Sequence, residues 1–142
     1  MVILLDETKL KPRLPNYFVW HPFRGTAALV RRDVVHEELE LLTFASTRTV
    51  GVRVHVPGAE LRIYVAYRPP GPDFVEDDIR RALNHDRHPA LVVGDFNAKH
   101  VAWGSRIITA PGRRLYEIDL VMSNATKNAT ATGTNSLCFC VL

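Results

Sequence analysis

The chain has 142 residues, 46% hydrophobic and 23% charged, the composition of one globular domain and not of a disordered or fibrous chain. Its 18 Lys and Arg against 15 Asp and Glu leave a net charge of +3, which is compatible with a polyanionic partner but too small to argue for one. No apolar run reaches the roughly 18 residues of a bilayer span, and the opening Val2-Ile3-Leu4-Leu5 run stops at Asp6-Glu7, so a soluble, intracellular chain without membrane contact is expected.

Val2 to Leu5 reads as a buried strand ending at Asp6, since it is wholly apolar and closed by acids. Lys9 to Phe23 carries Pro12, Pro15 and Pro22 among aromatics and reads as a loop. Gly25 to Arg31 is a predicted strand. Two period-two segments follow, one with Val50, Val52, Val54 and Val56, the other with Leu61, Ile63, Val65 and Tyr67. Pro57-Gly58-Ala59-Glu60 between them supplies turn chemistry, which predicts a β-hairpin with the valines and Leu61, Ile63 and Val65 on one buried face.

Arg68-Pro69-Pro70-Gly71-Pro72 ends the hairpin and leads to a predicted helix, with Asp73 as N-cap and Val75, Ile79, Ala82 and Leu83 on one stripe. Ala90 to Val93 is a second continuous apolar run and reads as a central strand ending in Gly94-Asp95-Phe96-Asn97. Gly112 to Met122 has Leu115, Ile118, Val121 and Met122 at helical spacing, with Asp119 read as a surface residue. After Ser123 the chain turns small and polar, then ends in Leu137-Cys-Phe-Cys-Val-Leu, which is expected to lie outside the fold. Cys138 and Cys140 are too close together for a disulfide framework and form no metal-binding pattern. Strands mixed with two helices make the class α/β or α+β.

Two acidic positions follow continuous apolar strands, Asp6-Glu7 and Asp95. Ligand sites of open α/β sheets gather at that edge of the sheet, and oxygen ligands there suit a hard cation such as Mg²⁺. Either acid alone is as readily a solvated turn or a cap. Gly94-Asp95-Phe96-Asn97-Ala98-Lys99-His100 is the most specific stretch: an aspartate able to accept a proton stands two residues from an amide able to hold a phosphoryl oxygen. The same spacing also makes ordinary Asx-turns.

The stretch VVGDFNAKHVAWGS resembles the motif of the endonuclease/exonuclease/phosphatase superfamily, and within it the endonuclease domain of jockey-like non-LTR retrotransposons. Supporting segments occur in the family's order: ILLDETKL, RGTAALVRR, the hairpin ending in VAYRPPGP, and GRRLYEI. The resemblance implies a partial two-sheet α/β sandwich with flanking helices over residues 1–122, followed by an atypical tail over 123–142. It implies a DNA endonuclease that hydrolyses phosphodiester bonds with Mg²⁺ or Mn²⁺, beside a reverse transcriptase domain of the parent polyprotein. Carried over by position, Glu7 would be the metal ligand, Asp95 would orient or deprotonate the attacking water, and Asn97 would hold a phosphate oxygen. Tyr67 would contact the scissile phosphate, with Arg68 beside it as the best further phosphate contact.

The sequence also departs from that pattern. The family carries an asparagine-bearing strand and a helix ahead of the acidic strand, and a late Ser-Asp-His element. Here the residues after Met122 contain neither histidine nor acid, and the Thr130–Thr134 stretch echoes the family's threonine segment only weakly. A truncated domain, weak or inactive alone, is expected, since a missing histidine removes a contribution commonly worth about 10²–10⁴ in rate. His100 is a candidate substitute. The alternative is a non-catalytic nucleic-acid-binding remnant, with a phosphoesterase acting on small phosphates or lipids as a more distant reading. Action on chromosomal DNA would place the chain in the nucleus.

Overall fold

A computed structural model describes residues 2–8, 15–20, 25–40, 44–71, 73–84, 88–129 and 138–141. Arg24, His21, His85 and the Thr130–Thr134 stretch fall outside these residues. The strands are β1 (Val2–Thr8), β2 (Tyr17–Trp20), β3 (Gly25–Arg31), β4 (His36–Glu38), β5 (Arg48–Val56), β6 (Ala59–Tyr67), β7 (Ala90–Asp95) and β8 (Cys138–Val141). The helices are α1 (Glu76–Asn84) and α2 (Ala110–Ala129). Neither is long and apolar enough to cross a membrane.

Two sheets form, in the orders β1-β3-β2 and β4-β5-β6-β7-β8. The hairpin holds them together. Val56 pairs with Ala59, so β5 and β6 are joined by two residues, and this register sets Val50, Val52 and Val54 opposite Val65, Ile63 and Leu61. These side chains pack on Ala28 and Val30 of β3 and form the core between the sheets. Fully burying one such aliphatic side chain contributes about 1.5–3 kcal/mol, so the interface is strong without a polar contact.

The alternate residues of β6 are buried as well. Arg62, Tyr64 and Ala66 face a second core with Ile79, Ala82 and Leu83 of α1 and Leu115 and Ile118 of α2. The five-stranded sheet is therefore covered on both faces, by the smaller sheet on one and by the helices on the other, an α/β sandwich. β7 is an interior strand, paired in parallel with β6 on one side and β8 on the other.

Several expectations are corrected. Residues 17–20 of the expected loop form β2, antiparallel to β3. α1 begins at Glu76, so Asp73 is no N-cap; its carbonyl instead accepts from Arg68 Nε at 2.9 Å. α2 starts earlier than Gly112 because Thr109 caps it, the hydroxyl accepting from Gly112 N–H at 3.2 Å, and it runs on through Ala129. The apolar end expected outside the fold supplies β8, paired from Cys138 opposite Leu91 to Val141 opposite Gly94. Asp119 is half-buried, and desolvation raises its carboxyl above the ordinary aspartate range.

Buried polar groups secure α1 at both ends. Asp78, 2% exposed, accepts from the backbone N–H of Ala45 at 2.9 Å and of Ser46 at 2.7 Å, and from Ser46 Oγ at 2.8 Å. Ser46 Oγ accepts in turn from Val75 N–H at 3.1 Å, acting as a cap supplied by a distant loop. At the other end the buried Arg62 guanidinium donates to the carbonyls of Ala82 at 3.0 Å and Leu83 at 2.9 Å, a cation set on the negative end of the helix dipole. Asp78→Ala strands two backbone donors. It is expected to destabilise the fold by about 2–4 kcal/mol in urea denaturation, with little change in the slope of the transition.

Candidate active site

The site is built where β6 and β7 end. Their parallel register runs from Arg62 opposite Ala90 to Tyr67 opposite Asp95. Register partners on neighbouring strands lie about 5 Å apart and point to the same face. By alternation that face is the one carrying Ile63, Val65 and Leu91, toward the three-stranded sheet. Tyr67 and Asp95 are both half-buried there, at the C-terminal edge of the strands, where open α/β sheets bind ligands.

Gly94 allows the strands to close at this point. It has φ of 152° and pairs with Ala66, and a Cβ on it would lie 1.7 Å from the Ala66 carbonyl oxygen. Only glycine fits.

Beyond β7 the backbone turns sharply. Asp95 Oδ1 accepts from Asn97 N–H at 2.7 Å, and Asn97 adopts the left-handed conformation with φ of 47°. The spacing therefore does form an Asx-turn, which fixes the aspartate and the asparagine relative to each other. Asn97 Nδ2 donates to the Arg68 carbonyl at 2.8 Å. An amide carries two N–H donors, so this bond orients the side chain and leaves one donor and the carbonyl oxygen for a ligand.

Arg68 has a different place from the one expected of it. It is 1% exposed, and its guanidinium donates from Nε to Asp73 O at 2.9 Å, from Nη1 to Phe96 O at 3.1 Å, and from Nη2 to Gly71 O. Its own N–H donates to Asp95 O at 2.8 Å. A side chain spent on carbonyls cannot reach a phosphate. Burial lowers its pKa below the ordinary guanidinium value, with the Asp73 carboxylate acting in the opposite direction. Arg68 is a clamp that holds the β6–α1 loop to the turn after β7.

His100, the candidate substitute histidine, has a structural place. It is buried, its Nδ1 accepts from Ala102 N–H at 3.2 Å to cap the 3₁₀ turn Val101–Trp103, and its ring stacks on Tyr116 with centroids 4.1 Å apart. Trp103 packs beside it at 5.5 Å and shapes the loop, as expected of a structural tryptophan.

Glu7 lies on β1, which packs against β6 and β7. The β1–β3 register is irregular between Asp6, opposite Thr26, and Thr8, opposite Gly25, and Glu7 is the residue at that bulge. Bulges redirect a strand and recur beside active sites. Thr26 is fully buried, and among the described residues its Oγ1 has no hydrogen-bond partner, a feature that pattern reasoning could not detect. Among the described residues no three carboxylate, imidazole or thiolate groups gather at metal-ligand spacing. The oxygen donors that the sequence brings to this edge, the Glu7 and Asp95 carboxylates and the Asn97 amide, are of the hard type that suits Mg²⁺, which binds through one or two carboxylates with waters and substrate oxygens in the remaining positions.

Residues 61–136 match the family described as endonuclease-reverse transcriptase. Two curated relatives, each an RNA-directed DNA polymerase from mobile element jockey, come from Drosophila melanogaster and Drosophila funebris. Each is 23% identical over 143 residues, covering 93% of this chain. The chain spans 15% of the length of these relatives. No solved structure matches it significantly.

Gly94→Ala forces the Ala66 carbonyl away from the Tyr67–Asp95 pair. A loss on the order of 3 kcal/mol in chemical denaturation is expected, combining backbone strain and overpacking.

Proposed function

Because the chain belongs to the endonuclease-reverse transcriptase family, we propose that it is the fragment of a retrotransposon endonuclease that nicks DNA by metal-dependent phosphodiester hydrolysis. One observation carries the reading. Tyr67 and Asp95 are register partners at a strand edge, and Asn97 is held beside them by the Asp95 carboxylate and the Arg68 carbonyl.

In this reading the free N–H of the Asn97 amide donates to a non-bridging phosphate oxygen, and the Tyr67 hydroxyl steadies the same phosphate. Asp95 orients a water and accepts its proton as the water oxygen bonds to phosphorus and the bond to the leaving sugar oxygen breaks. Glu7 would hold Mg²⁺ or Mn²⁺. The chemistry gained when such an ion is bound there would be Lewis-acid polarisation of the phosphoryl oxygen and stabilisation of the leaving oxyanion. DNA is the substrate, the nucleus the site of action, and a reverse transcriptase domain of the parent polyprotein the working partner.

In this reading activity of the chain alone is weak, since His100, the histidine within the motif stretch, is engaged in its cap and its ring stack. That same observation favours the second reading, a domain that binds nucleic acid without cleaving it.

Conversion of supercoiled plasmid to nicked circles tests the proposal. Slow nicking in Mg²⁺ is expected, abolished by EDTA and reduced about 10²–10⁴-fold by Asp95→Ala. Nicking that survives both treatments contradicts the assignment. DNA binding by a folded sample that never nicks supports the second reading.

A further inference from the structure

Between β7 and α2 the chain makes a closed excursion whose ends are Lys99 and Thr109. Thr109 N–H donates to Lys99 O at 2.9 Å, and Lys99 N–H donates to Thr109 Oγ1 at 3.0 Å. Gly112 lies against this closure, and a Cβ there would sit 2.0 Å from the Lys99 carbonyl oxygen. Inside the loop, Ser105 N–H donates to His100 O at 3.3 Å, and Gly104 N–H to Val101 O at 3.0 Å. With the His100 cap and the His100–Tyr116 stack, the loop is ordered before it meets any partner, so docking it loses little further entropy.

The outward side chains have no task within the loop. Val101 and Ile107 are each 54% exposed and Ile108 is 45% exposed. Lys99, Arg106 and Arg113 are also exposed, and among the described residues none of the three is in an ion pair. From Phe96 to Tyr116 the sequence holds four basic residues and no Asp or Glu. The loop leaves the site at Asn97, two residues before its own base, a reach of roughly 7 Å of chain.

Apolar side chains framed by unpaired cations, with no carboxylate among them, match a duplex: the cations meet phosphates, and the aliphatic groups press on bases or sugars. We propose that the loop 99–109 is a DNA-docking element. Lys99, Arg106 and Arg113 contact phosphates beside the scissile bond, and Ile107 and Ile108 act as the apolar wedge. This rests on the reading of the neighbouring site as a DNA endonuclease.

The test is fluorescence anisotropy of a labelled duplex with the full chain over a range of salt, for wild type, Arg106→Ala, Ile107→Ser and the control Arg80→Ala on α1. Both loop residues are exposed, so unchanged melting temperatures are expected. Arg106→Ala should weaken binding roughly threefold to tenfold and make the salt dependence shallower by about one phosphate contact. Ile107→Ser should weaken binding with an unaltered salt slope, while Arg80→Ala binds as wild type. Loop variants that bind as tightly as wild type overturn the docking proposal and leave the endonuclease reading standing. A wild type that binds no DNA removes both. An Ile107→Ser variant that binds DNA normally but turns a dimer into a monomer on a sizing column assigns the patch to self-association and overturns the proposal.

Discussion

The geometry of the site depends on one buried cation. Arg68 sits at the point where β6, the loop to α1 and the turn after β7 meet, and it touches all three. Its guanidinium binds the carbonyls of Gly71, Asp73 and Phe96, its N–H binds the Asp95 carbonyl, and its own carbonyl holds the Asn97 amide. Hydrogen bonds to a charged donor contribute about 1.5–3 kcal/mol each, and an arginine buried without them would be prohibitive. The clamp is therefore all-or-none: the carbonyls converge because the guanidinium is there, and it stays buried because they converge.

Arg62 does the same at the opposite end of the β6–α1–β7 crossover. It gathers the last carbonyls of α1 and, from Nη2 at 2.7 Å, the His88 carbonyl ahead of β7. Two buried arginines, one on β6 and one just past its end, thus fix the loop that leads into the helix, the end of the helix and how the next strand enters. Between them the apolar residues of β6 and β7 pack on both faces, so the strands carry Tyr67 and Asp95 to the edge on a rigid platform. A platform of this kind suits chemistry that needs positioning before it needs motion.

Much of this was legible in the sequence. The valine alternation across residues 50–56 dictated the hairpin and its face, and the apolar run before Gly94 dictated an interior strand. The Asp-Phe-Asn spacing carried the Asx-turn as one of its two readings, while the Tyr67–Asp95 pairing was not legible, because tertiary packing decides which strands lie side by side. The short strands β2 and β4 were not legible, because three or four residues carry too little periodicity to outweigh prolines and charges around them. β8 escaped notice because its apolar residues gain meaning only from pairing with a strand far away in the chain. Arg68 was misleading for a physical reason: an arginine beside a tyrosine at a strand end looks solvent-directed, and only tertiary carbonyls decide that it is buried. Asp78 was hidden among three consecutive acidic residues at the start of α1, of which only it turns inward.

The central claim is that the Arg68 clamp sets the Asp95–Asn97 turn, and amide hydrogen exchange in Arg68→Lys tests it most directly. Lysine keeps the charge but loses the planar fork that reaches several carbonyls at once. The account predicts faster exchange at the Arg68 and Asn97 amides while the β5–β6 hairpin keeps its protection. Unchanged exchange at Asn97 in a variant that folds normally would contradict it, and would mean that the turn holds its shape through the Asp95 carboxylate alone.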